Sequence, residues 1–187
     1  MVTIIRVFAI TIILGLASLA ILRPCPAIAA SKDEIDSNVD AALQKLYEST
    51  PSAKVLAAEA KAVLVFPSIV KGGFIVGAQF GEGALRKQGK TVAYYNTAAA
   101  SYGLQAGLQK FGYALFFMTD AALSYLDKSG GWEIGVGPSI VIVDAGVAKA
   151  LTTTTTRKEI YAFFFDQKGL MAGLGLQGTK ITRINPK

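Results

Sequence analysis

AVLVFPSIVKGGFIVGAQFGEGALR, residues 62–86, decides how the rest of the chain is read. Val63 to Phe66 has the texture of a buried strand. Pro67 signals a turn that carries one lysine, Lys71, and a second strand follows with glycine at every fourth position, Gly73, Gly77 and Gly81. Side chains alternate along a strand with period two, so glycines four apart share one face, and that face is bare backbone. Such a surface suits sharp curvature, close approach of another element, or a flat ligand.

Downstream, β-branched and aromatic residues broken by glycine continue to the end of the chain, the pattern of many strands in an antiparallel sheet or small barrel. Arg86-Lys87-Gln88-Gly89-Lys90 reads as a basic hairpin turn, Thr91 to Tyr95 as the next strand, and Asn96 to Ala100 as a small-residue connection. Ser101 to Met118 reads as one long bent strand, with Gly103 and Gly107 again four apart. Thr119-Asp120 caps a short helix from Ala121 to Leu126. Trp132 to Val143, Glu159 to Asp166, Leu170 to Leu176 and Thr179 to Ile184 complete the strands, and Thr152 to Thr156 fits an edge strand or a loop. Glycine-spaced segments around Gly73, Gly103 and Gly169 fit strands bending round one small core.

Upstream, Ser31-Lys32-Asp33-Glu34 has the spacing of a capping box. Behind it Ile35, Val39, Ala42, Leu43, Leu46 and Tyr47 recur at helical spacing opposite Asp36, Asp40, Lys45 and Glu48, which predicts an amphipathic helix ending near Ser49. Thr50-Pro51 opens a second, shorter helix. Before these lies Arg6, an apolar run from Val7 to Leu22, and Ala27-Ile28-Ala29: a basic n-region, an h-region and an A-x-A site, the anatomy of a secretory signal peptide cleaved after Ala29, the rival reading being an uncleaved anchor, for which the run falls short of the ~20 residues that span a bilayer. The expected organisation is a signal peptide over 1–29 and one α+β domain over 30–187. Its curved antiparallel sheet or small barrel of glycine-rich strands is covered by two N-terminal helices and one short internal helix.

Composition narrows the chemistry. The chain has no histidine and a single cysteine, Cys25, so a Cys/His metal site, a histidine-based triad and an internal disulfide are excluded. The net charge of +6 falls to +4 without residues 1–29, which hold Arg6 and Arg23 and no acid; a mild positive balance favours anionic partners. Gly173-x-Gly175-x-x-Gly178 matches a dinucleotide fingerprint, but too little chain follows it for the helix and acidic residue that the fingerprint requires. Lys71, Gln79, Glu82, Gln105 and Gln109 interrupt any apolar span long enough for a transmembrane helix. Glu82 stands alone between Gly81 and Gly83, and a buried carboxylate there needs a partner such as Arg86 or a backbone amide. Lys71, Arg86, Lys87 and Lys90 form a basic rim if the two hairpin turns project the same way.

The segments VLVFPSIVKGGFIVGAQFGEGALR, SYGLQAGLQ, GVGPS and KGLMAGLGLQG together resemble the SYLF domain family, in the same order and at similar spacing, over roughly Asp33 to Ile184. The chain departs from the family before the S-Y-G-L-Q segment, where Tyr95, Asn96 and Ala98 to Ala100 replace a tryptophan-serine and a proline. The resemblance implies a non-enzymatic lipid-binding module with no cofactor or metal. Taken with the signal peptide, it implies a member of the bacterial kind, exported, periplasmic or outer-membrane-associated, that binds phospholipid or a membrane surface and no nucleic acid. An actin role does not follow for an exported chain. The residues expected to meet lipid are Lys71, Arg86, Lys87 and Lys90 for phosphates and Phe74 for acyl chains. Two other readings are a structural or protein-interaction component of the envelope, whose glycine faces pack on a partner, and a carboxylate-dependent hydrolase in which Glu82 faces a pocket with a second carboxylate.

Overall fold

A computed structural model of the protein describes residues 30–73, 76–102, 107–128, 130–143, 158–168 and 175–187. Helix α1 (Lys32–Ser49) begins as its sequence requires, with the Ser31 hydroxyl accepting the Glu34 N–H at 3.2 Å. Helix α2 (Pro51–Glu59) starts with proline at its first turn, while the Thr50 side chain makes no capping bond. The buried stripes Ile35, Val39, Ala42 and Leu46 of α1, and Ala53 and Leu56 of α2, pack on one face of the sheet against Val63, Val65, Ala84, Ala114, Phe116, Tyr161 and Phe163.

The sheet has eight strands: β1 (Ala62–Gly73), β2 (Val76–Lys87), β3 (Lys90–Tyr102), β4 (Gly107–Phe117), β5 (Trp132–Glu133), β6 (Ile140–Val143), β7 (Ile160–Lys168) and β8 (Lys180–Ile184). A short helix α3 (Asp120–Leu123) follows β4 and runs into a 3-10 turn, Ser124–Asp127. The strand order is β5-β8-β3-β2-β1-β4-β7-β6. The fold is α+β with a curved sheet, as expected, but the sheet is mixed: β6 and β7 pair in parallel, and the remaining pairs are antiparallel. Parallel pairing of consecutive strands requires a long crossover, which positions 144–159 supply.

Four further expectations are corrected. Pro67 does not turn the chain. It lies inside β1 at a bulge, where the register shifts against both neighbours, between Val65 and Ser68 on the β2 side and between Phe66 and Ile69 on the β4 side. Proline lacks a ladder donor, and a bulge is where a strand tolerates it. Gly73 and Gly77 therefore face each other across the β1–β2 hairpin instead of following one another along a strand. β3 runs unbroken through Asn96 to Ala100, while 101–118 is divided between the end of β3 and β4. Trp132 to Val143 is two short strands separated by turns. The signal peptide, Phe74, Gly103, Thr152 to Thr156, Gly169 and most of the expected strand from Leu170 to Leu176 lie outside the described residues.

The sheet curls until its far strands meet over the inner face. Phe117 of β4 and Trp132 of β5 are five strand steps apart, about 24 Å in a flat sheet, yet their ring centroids lie 6.0 Å apart. Thr97 of β3 and Tyr113 of β4, three steps apart, share a hydroxyl–hydroxyl bond of 2.7 Å, and both residues are fully buried. Leu64, Phe66, Ile69, Leu85, Tyr95, Phe111, Leu115 and Ile181 fill the space around them. The Gly81-Glu82-Gly83 sequence serves this curl, because a Cβ on Gly83 would collide with the Val65 carbonyl oxygen and the Phe66 ring beside the bulge.

Tyr113→Phe leaves the Thr97 hydroxyl buried without its partner and is expected to cost about 1–3 kcal/mol in urea unfolding, most of it recovered in the Thr97→Val/Tyr113→Phe double variant. Burial pushes the Tyr113 phenol well above its ordinary value of 10.0, the Thr97 bond opposing that only in part. The unfolded chain then ionises this group first, so its contribution to stability is complete below about pH 10 and is lost as pH rises further. Absorbance titration should show one tyrosine that ionises only on unfolding.

Candidate functional site

The two hairpin turns fall at opposite ends of the strands. The β1–β2 and β3–β4 connections mark one end, called the tip below, and the β2–β3 turn at Gln88-Gly89 marks the other. Lys71 belongs to the tip and Arg86, Lys87 and Lys90 to the far end, separated along the β1–β2 ladder by roughly 25 Å. The expected basic rim is thus not formed, because the turns project oppositely.

At the far end Arg86 is a structural clamp. Its guanidinium donates to Asp40 Oδ1 at 2.7 Å, to the Asp36 carbonyl at 3.1 Å and to the Gly89 carbonyl at 3.3 Å, and its side chain is only 11% exposed. Asp36 is held in turn by the Thr91 hydroxyl at 2.7 Å and the Tyr94 phenol at 3.0 Å. Desolvation first, and then the Asp36 carboxylate, raise the Tyr94 phenol above its ordinary value. The cluster pins α1 to the β2–β3 hairpin, so Arg86 is already engaged by two aspartates of its own chain. Lys87 and Lys90 are exposed beside it.

At the tip the two faces of the sheet differ. On the inner face Gln109, Lys71, Gln79 and Ala99 lie side by side across β4, β1, β2 and β3. Lys71 is 9% exposed, and Gln79 donates to the Thr179 hydroxyl at 3.3 Å. The next row outward is Gly107, Gly73 and Gly77 across β4, β1 and β2, which leaves bare backbone in front of that polar row. Lys71 therefore faces into the curl, while Phe74 lies outside the described residues.

On the outer face the helices cover only the far half. Beyond them Val70, Val76, Phe80 and Leu108 are exposed to 48%, 53%, 50% and 69%. Register makes them one patch: Val70 pairs with Phe80, and the neighbouring row is Leu108, Gly72, Ala78 and Ala100. Along the Val70–Phe80 row the sheet continues to Lys110 and Lys168 on one side, and through Ala98 to Lys180 on the other, all three lysines exposed. An apolar surface lies between cations, and no residue of this set except its neighbour Lys71 stands out from sequence alone. Val70 and Phe80 alternate with Ile69 and Gln79 in strands that are apolar on both faces, and the pattern does not tell which face the helices leave bare.

A third feature is a groove of about 510 Å³ between α1 and the sheet, lined by Glu34, Lys45, Glu82, Lys110, Asp166 and Lys168 among others. Glu82 does share this groove with other carboxylates, the arrangement a Glu82-centred hydrolase requires. Asp166 is tied to Lys45 at 3.3 Å, however, and Glu82 accepts the Ala30 N–H at 3.2 Å, the backbone-amide partner expected for it. Among the described residues no three His, Cys, Asp or Glu side chains group as a metal site, and no helix is long and apolar enough to cross a membrane.

Residues 98–185 match the model of the family described as Las17-binding protein actin regulator (Ysc84). The match is consistent with the SYLF domain family. The match begins inside β3 and runs through β8, so it contains Lys110, Lys168 and Lys180 and the whole of the β4–β7 and β5–β8 pairs, while α1, α2, β1 and β2 precede it. No curated protein matches the chain.

Arg86→Lys keeps the charge but loses the planar fork whose Nη2 reaches both Asp36 and Asp40 while Nη1 reaches the Gly89 carbonyl. It is expected to destabilise the fold by about 2 kcal/mol in denaturant unfolding, with earlier hydrogen exchange confined to α1 and the β2–β3 hairpin.

Proposed function

We propose that the protein is a non-enzymatic phospholipid-binding module of the bacterial cell envelope that rests its uncovered outer tip on an anionic membrane surface. The observation that carries this reading is the patch of Val70, Val76, Phe80 and Leu108 between Lys110, Lys168 and Lys180. Apolar side chains enter the head-group boundary while flanking lysines meet lipid phosphates, and neither contribution alone gives stable membrane attachment. Large exposed apolar residues clustered on one face mark an interaction surface. The lysines select a negatively charged one. SYLF-family membership is consistent with it, since the family's members bind lipids or regulators of actin. The A-x-A site after the apolar run supports export, and export favours lipid over a cytoskeletal partner.

Of the expected lipid-binding residues, Lys71 lies at the same tip on the inner face, where it is placed to meet a phosphate that reaches past the glycine row. Arg86, Lys87 and Lys90 are at the other end and do not contribute to this surface.

Co-sedimentation with vesicles of phosphatidylglycerol and of phosphatidylcholine tests the reading. Binding is expected to the anionic vesicles only and to weaken with salt. At about 1 kcal/mol per lysine near an anionic surface, the Lys110→Gln/Lys168→Gln/Lys180→Gln variant should bind roughly 100-fold more weakly. Phe80→Asp/Leu108→Asp should abolish binding with only a small loss of stability, because both side chains are at least half exposed. Absence of binding to both vesicle types, together with a defined complex in light scattering, would favour the envelope interaction protein instead.

A further inference from the structure

We infer that removal of residues 1–29 completes the fold, because cleavage after Ala29 converts the Ala30 amide into an α-ammonium group that forms an ion pair with Glu82. Two independent observations meet at the same bond. The A-x-A motif Ala27-Ile28-Ala29 places the cut immediately before Ala30. In the structure the Ala30 nitrogen lies 3.2 Å from Glu82 Oε2, with both residues half-buried. The position is fixed from both sides. Ser31 caps α1 through Glu34 and its carbonyl accepts the Ile35 N–H at 2.9 Å, while Lys32 N–H donates to the Lys187 carbonyl at 3.2 Å. Glu82 is held in β2 opposite Ser68 and Asn96, pointing outward beneath the start of the helix.

Hydrolysis adds water across the Ala29 carbonyl carbon–Ala30 nitrogen bond. The leader departs with a carboxylate, and the nitrogen takes protons to become ammonium, the peptidase of the export route acting as catalyst. A single neutral donor thereby becomes a cation with three, and a charge-assisted bond replaces an amide one. The adjoining groove admits the extra donors, and its other charged groups set the local balance: Glu34 and Lys45 of α1, Lys110 of β4, Asp166 and Lys168 of β7, and Lys187 at the N-cap. Lys45 is neutralised by Asp166, Glu34 adds to the attraction for the ammonium, and Lys110 and Lys168 oppose it. An α-amino group ordinarily titrates near pH 8. Beside Glu82 it keeps its proton to higher pH, so the stabilisation is complete below about pH 8 and is lost as pH rises through the displaced value.

This inference rests on the export part of the proposed function and is independent of lipid binding. The test compares full-length chain exported and processed in a bacterial host with full-length chain carrying Ala27→Gln/Ala29→Gln, which blocks cleavage, both in the same detergent. N-terminal sequencing should begin at Ala30. Glu82→Gln should lower Tm by about 3 °C in the processed chain and by less than half as much in the uncleaved one. Acylation of the processed wild-type α-amine, followed against pH by mass spectrometry, needs no variant: its half-reaction point should lie about one pH unit higher in the folded chain than in urea. A different N-terminus would overturn both the export reading and the ion pair. An Ala30 terminus with equal effects of Glu82→Gln in the two chains, or with the same half-reaction point folded and unfolded, would overturn the ion pair alone.

Discussion

The bulge at Pro67 sets the geometry on which the rest of the molecule depends. β1 is the axis of the sheet, paired along its length with β2 and β4, and both ladders slip at the same place. An extra residue at a bulge bends the strand and increases its twist. Gly83, facing that bend, lets Phe66 and the Val65 carbonyl come closer than any Cβ would permit. Strands on the two sides are then carried toward each other, until Tyr113 reaches Thr97 and Phe117 reaches Trp132. A flat sheet of the same strands would leave those aromatic rings in water.

The curl divides the molecule into three environments. The inner face is apolar over most of its length and ends at the tip in Gln109, Lys71 and Gln79. The outer face is covered by α1 and α2 at the far end, where Arg86 ties the hairpin to Asp36 and Asp40. Among the described residues no helix covers the outer tip. Twelve-residue strands such as β1 and β2 run about 40 Å, whereas an eighteen-residue helix spans about 27 Å. The uncovered length carries Val70, Phe80 and Leu108 outward, and its flanks end in lysines. The exposed apolar tip thus follows from a mismatch of element lengths.

Local features are legible in the sequence. Ser31 with Glu34, the stripe from Ile35 to Leu46, the Pro51 helix start and the Gln88-Gly89 turn, where both residues adopt positive φ, each depend on neighbours a few positions away. Pro67 reads locally as a turn former, whereas its place in a bulge is decided by two partner strands distant in sequence. The parallel β6–β7 pair depends on a crossover, which no local pattern encodes. Asp36 and Asp40 are visible as a polar helix face, but their partner Arg86 is 50 and 46 residues away, respectively. Glu82 is legible as a carboxylate needing a donor, and the donor comes from the head of the chain. The outer patch is hidden because Val70 and Phe80 look like core in strands that are apolar on both faces.

In the proposed function the outer tip, and not the basic far end, meets the membrane. Spin labels at Leu108→Cys and Phe80→Cys, compared with Lys87→Cys on processed chain lacking Cys25, test it most directly by power saturation with anionic vesicles. Labels at 108 and 80 are expected to gain oxygen accessibility and lose access to a water-soluble relaxant, while the label at 87 stays in water. Immersion of the label at 87, with 108 and 80 unchanged, would contradict it.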